Sequence, residues 1–154
     1  MIAWADEWNR IYRYILWRDY DLKQLMKIPS KATILNFRDK YFIRAGFANE
    51  LLTNESCRIV YSMTDAAPTD VPNVRTRMIT FDIYVKQTDQ YDVDDDRLLS
   101  RTDLISKRLT ALLTSNRYVA DTGYHFWIAG EWDQGTRTVG YDRHTISFYF
   151  KQVY

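Results

Sequence analysis

A chain of 154 residues and 18.4 kDa is one domain's worth of protein, able to bury a core without disulfides or a structural metal. Its 46% hydrophobic and 27% charged residues, with 5 Gly and 3 Pro, exclude disorder, collagen-like repeats and low-complexity tails. Lys and Arg number 21 against 20 Asp and Glu, and the resulting net charge of +1 lacks the basic excess of a dedicated nucleic-acid binder.

Helical periodicity opens the chain. Trp4, Trp8, Ile11, Ile15 and Leu16 recur at helical spacing, with Glu7, Arg10, Arg13 and Arg18 on other faces. Leu22, Leu25 and Met26 extend the pattern, as one bent helix or as two, until Pro29 disfavours helix near Lys27 and Ile28. Residues 1–28 are therefore a helical N-terminus. Residues 30–56 show neither a period of 2 nor one of 3.6. They read as an irregular, partly extended insertion anchored by Phe37, Tyr41, Phe42, Phe47, Leu51 and Leu52, with a turn at Gly46.

From Cys57 the period becomes two. Ile59, Tyr61 and Met63 share one face of a strand, and a polar loop over 64–73 leads to a second strand. There Ile79, Phe81, Ile83 and Val85 alternate with Thr80, Asp82, Tyr84 and Lys86, a pattern that specifies register. The acidic run Asp89–Asp96 precedes an amphipathic helix striped by Leu98, Thr102, Ile105, Leu109, Leu112 and Leu113, with Asp94, Asp95 and Asp96 placed to cap its start. A terminal hairpin closes the chain. Tyr124, Phe126 and Ile128 form one face of its first strand, a turn is expected over Asp133–Thr136 and Val139–Gly140, and His144, Ile146, Phe148 and Phe150 share a face on the return. The whole predicts a single α+β domain over 1–154. An antiparallel-rich β-sheet (β-β-α-β-β over 57–154) carries the N-terminal helix and the central amphipathic helix packed on one face.

Aromatic residues make up 16% of the chain, a bias that suits sheets and protein contacts. No stretch approaches the roughly 20 apolar residues of a membrane span. The acidic start lacks the basic region of a signal peptide, so the expectation is a soluble protein made and used in a cell, or built into a particle there.

Chemical motifs are scarce. Cys57, the single cysteine, heads an apolar strand, and there is no G-x-S-x-G elbow. His125 and His144 could approach each other if the last two strands pair, but no third ligand stands at metal-like spacing. Counted from Asp92, carboxylates at Asp92, Asp94, Asp96 and Asp103 mimic a calcium loop. Arg97 occupies the place of its required glycine, however, and the preceding element is a strand. No Gly-rich phosphate cradle is present either. The expectation is therefore no catalytic residue, no metal and no cofactor. Function is assigned instead to surfaces on the 64–76 loop, the 87–96 loop and the 133–141 turn. Asp65, Pro68, Asp70, Asn73, Asp92, Asp94, Asp95, Gln134, Arg137 and Tyr141 are the candidate contact residues.

The N-terminal pattern from Ile11 through Asp19 to Leu25, the strand Cys57–Tyr61, the long loop, the strand Met78–Val85, the helix leading to Leu113 and the aromatic hairpin, taken together, resemble the tail terminator (tail completion) proteins of tailed bacteriophages and related head–tail joining proteins. The resemblance implies a virion structural protein of the neck or tail top, made in the bacterial host cytoplasm, which forms a ring, typically six-fold. Such a ring caps the tail tube, stops its polymerisation and meets the head–tail connector, while genomic DNA passes through without sequence-specific binding. It further implies sheets of adjacent subunits around the channel, helices outside, heterologous contacts between copies and no membrane partner. Alternative readings are a head-completion or connector adaptor of the neck, a small α+β ligand- or metal-binding domain using His125, His144 or the acidic run, and a monomeric adaptor with one partner.

Overall fold

The computed structural model of the chain describes residues 8–46, 55–64, 67–71, 73–94, 97–115, 124–138 and 140–153. A helix over 8–11 (α1) widens at Tyr12–Leu16 into a π-helical turn, closed by a Trp17 N–H to Tyr12 carbonyl bond of 2.9 Å. Asp19 then starts a separate helix, α2 (Tyr20–Leu25), by accepting the Leu22 N–H at 2.8 Å. Among the described residues the helical N-terminus is thus two helices, and residues 1–7 lie outside them. Its end comes at Lys27, whose φ of +54° turns the chain ahead of Pro29.

The stretch read as irregular is ordered over residues 33–44. Thr33 and Asn36 form a reciprocal capping box at α3 (Ile34–Asn36), a second π-helical turn follows at Phe37–Tyr41, and β1 (Phe42–Arg44) pairs parallel to β2 (Cys57–Met63). Elements this short leave no measurable period, so only the Thr33–Asn36 spacing marked them. Gly46, at φ +84°, makes the expected turn, and residues 47–54 lie outside the described residues.

β3 (Ala67–Pro68) and the centre strand β4 (Val74–Lys86) follow, then a short hairpin of β5 (Tyr91–Asp94) and β6 (Arg97–Ser100). Next come α4 (Arg101–Thr114), β7 (His125–Thr138) and β8 (Tyr141–Val153). The main sheet runs β1-β2-β4-β8-β7, with β3 beside β4, and is antiparallel except at β1. Pro68 is tolerated because β3, among the described residues, pairs on one side only.

One face of this sheet is the core, and the helices cover it. Ile79, Phe81, Ile83 and Val85 of β4 pack with Ile11, Leu16 and Leu22 from the N-terminus and Ile105, Leu109 and Leu113 from α4. Phe81 is wholly buried and meets Phe42 and Phe148 edge-on at 5.7 and 5.9 Å, contacts worth about 1 kcal/mol each beyond area burial. The expected α+β class, antiparallel-rich sheet and one-sided helices are all present.

Three local expectations are corrected. Asp94 does not cap α4, because β5 (Tyr91–Asp94) pairs with β6 (Arg97–Ser100) and α4 begins at Arg101 with Ser100 at its N-cap, while Asp95 and Asp96 lie outside the described residues. Leu98 consequently belongs to β6 and is 65% exposed. The calcium-like register counted from Asp92 dissolves too, since Asp92 pairs across the hairpin with Leu99. Secondly, Asp133–Thr136 is not the turn. β7 continues to Thr138 with register shifts, and Gly140, at φ +81°, sits where the chain reverses. Thirdly, a register shift between Ile128 and Gly130 ends the simple alternation of β7, and Ile128 is exposed.

Candidate functional site

The loop residues named from the sequence scatter over three places. Asp70 is exposed, and Asn73 adopts a left-handed φ of +65°, which Asn tolerates better than most residues. Thr69 steadies this segment, its hydroxyl 2.9 Å from the Val74 carbonyl. Pro68 lies in β3, Asp92 and Asp94 in β5, and Gln134 and Arg137 in β7. Asp65 and Asp95 lie outside the described residues. Tyr141 is corrected from an exposed turn residue to a buried one: it opens β8 and donates its hydroxyl to the Glu55 carbonyl at 3.0 Å, and burial raises its pKa.

β7 forms the far edge of the sheet, with one side of its ladder unpaired among the described residues. On the face opposite the helices, the β7–β8 register brings Trp127 beside Tyr149, ring centroids 5.9 Å apart, and sets Trp132 opposite Thr145. Trp132, Tyr149 and, on the edge, Ile128 are 47%, 41% and 49% exposed. The other edge is the three-residue β1. The two ends of the sheet therefore differ in length, direction and chemistry.

A polar cluster lies on the helix side, where α4 crosses the hairpin. His144 shares the apolar face of β8 with Ile146 and Phe148, and it is buried. The register places Asp133 opposite it, with Asp133 Oδ1 2.6 Å from Nδ1, while Glu131 Oε2 stands 3.0 Å from Nε2. Ser106 of α4 donates to the same Glu131 oxygen at 2.7 Å. Burial works to lower the His144 pKa, but the bonds to Asp133 and Glu131 outweigh it and leave the pKa raised. Hydrogen bonds from His144 and Ser106 hold Glu131 low. Asp103, in the first turn of α4, brings a third carboxylate to this corner. Beside it opens a cleft of about 460 Å³ between the β5–β6 hairpin, the start of α4 and the β7–β8 strands.

The two histidines do not meet. His125 pairs with Lys151 at the opposite end of the hairpin, against Trp127 at 5.8 Å. The acidic partners of His144 escaped sequence reading because Asp103 comes from another element and the turn was placed too early. A signal was present: a histidine on the apolar face of one hairpin strand calls for polar partners on the other. Cys57 offers no nucleophile, since burial pushes its thiol up to about 12 against the weaker opposing pull of Arg101.

No described helix is long and apolar enough to cross a membrane. Compared with known proteins, the chain matches the family model of YomW over residues 9–135. No curated protein matches it.

Proposed function

Because the chain belongs to the YomW family, which is phage-related, we propose that it is a structural protein of the phage neck or tail top. In this reading copies form a six-fold ring that caps the tail tube and joins it to the head connector, within the virion. The observation that carries the reading is the β7 edge. A 14-residue strand whose ladder is open on one side among the described residues, with exposed Trp132 and Ile128, is a surface that a solitary protein has reason to blunt. A neighbouring subunit would supply both the missing hydrogen bonds and the apolar cover. Since the opposite end of the sheet is the short, parallel β1, such a contact joins unlike patches, the condition for a closed ring without two-fold axes.

Deleting the gene from the genome that carries it and imaging the lysate tests the proposal. Filled heads with detached tails, or tails of uncontrolled length, are the expected outcome. Tails of normal length beside empty or leaking heads would move the protein to head completion. Intact infectious particles would overturn both roles.

A further inference from the structure

We propose that Asp103, Asp133 and His144 bind one divalent first-row transition ion, of the zinc or manganese kind, at the rim of the cleft beside the β5–β6 hairpin. The three residues converge from α4, β7 and β8, and one donor atom of each lies within 4.8 Å of the other two. Asp103 makes no hydrogen bond or ion pair among the described residues, so its carboxylate is available to a ligand. His144 has one ring nitrogen backed by the Glu131 carboxylate, as a metal-binding imidazole usually has, and the other 2.6 Å from Asp133 Oδ1, the atom that would share the ion. Glu131 takes the Nε2 side and is itself fixed by Ser106, so the ion would enter between Nδ1 and Asp133 in place of the hydrogen that links them.

Charge argues the same way. Asp103, Glu131 and Asp133 surround a single imidazole, so three carboxylates face one ring, while Lys107 acts on Glu131 from outside the cluster and Asp142 and Arg143 share the cleft with Asp103 and Asp133. A divalent ion between the carboxylates relieves that repulsion where a proton on His144 relieves only part of it. The geometry requires little movement. Ligands of a tetrahedral ion at about 2.0 Å stand about 3.3 Å apart, so Asp133 must retreat slightly from its 2.6 Å contact, and its side chain is 75% exposed. The donor set decides the class of ion, since imidazole nitrogen favours zinc and its neighbours over calcium and magnesium, and the two carboxylates also suit manganese. Three protein ligands leave the next coordination position for water at the cleft.

The test is calorimetric titration of the EDTA-treated full chain with ZnCl2, MnCl2, CaCl2 and MgCl2, each paired with a thermal melt. One Zn2+ or Mn2+ per chain and a raised melting temperature are expected. Asp103→Asn, at an exposed helix position, should weaken that binding at least tenfold while the metal-free melting temperature stays unchanged. Glu131→Gln, which only positions the ring, should weaken it about 10- to 100-fold without abolishing it. Absence of saturable binding, preference for Ca2+ or Mg2+, or full-strength binding in Asp103→Asn would each overturn the site. The result is independent of the particle phenotype, so either proposal can fail alone.

Discussion

Cys57 lies at the head of β2 with no exposure, its thiol kept protonated by burial. A thiol reagent should therefore leave the native protein unmodified over hours and titrate one group per chain in denaturant, which absorbance of the released chromophore reads directly. Asp19 is a different kind of buried group. Burial pushes its pKa up, but the Arg108 guanidinium, bound in a two-pronged contact at 2.5 and 2.8 Å, and the Leu22 N–H outweigh that and hold it low. A depressed folded pKa means the contribution is complete above the unfolded value of about 3.9 and is lost as pH falls through the folded value. Arg108→Leu should cost about 1 kcal/mol near neutrality and flatten the acid limb of stability against pH. Urea midpoints measured across that limb check both parts.

Among the elements, α4 shows how a helix is started by a residue outside it. Ser100 at its N-cap makes no capping bond. Gln90 supplies one instead, accepting the Thr102 N–H at 3.2 Å and donating to the Thr102 hydroxyl at 2.8 Å, while the Gln90 carbonyl takes the Arg101 N–H at 2.7 Å. Gln90→Ala should destabilise the fold by about 1–2 kcal/mol, the cost of a lost cap in a buried setting, and a thermal melt would register it. This arrangement explains why the acidic run misled the sequence reading. Three aspartates before an apolar stripe look like a cap, but the cap acts across eleven intervening residues through a hairpin that brings Gln90 back to Thr102. The strands Cys57–Met63 and Ile79–Val85 were legible because a period of two with one apolar face permits only one register. The hairpin β5–β6 was not, since its exposed residues carry no contrast between faces. Likewise the cluster around His144 depends on a register shift that periodicity does not encode.

At the scale of the whole molecule, the sheet, among the described residues, has a long open end at β7 and a short end at β1, and the ring proposal depends on that asymmetry. Lysine on an edge strand is an efficient block to pairing. The double variant Ile128→Lys, Trp132→Lys should sediment as a monomer under conditions where the parent chain assembles, with a melting temperature within about 2 °C of the monomeric parent, since both positions are already half exposed. A variant that still assembles would place the subunit contact elsewhere.

Arg101 has a consequence of another sort. Its buried guanidinium donates to the Leu25 carbonyl at 2.9 Å, the Asp89 carbonyl at 2.9 Å and the Asp92 carboxylate at 2.6 Å. The end of α2, the turn before the hairpin and the hairpin itself are thus held by one side chain. None of them can loosen alone without stranding a charged donor in a dry place. Deuterium uptake should then be cooperative, with amides of the last turn of α2, the 87–89 turn and the base of β5–β6 exchanging at one common free energy. In Arg101→Met that single unit should split into separately exchanging segments, the hairpin fastest.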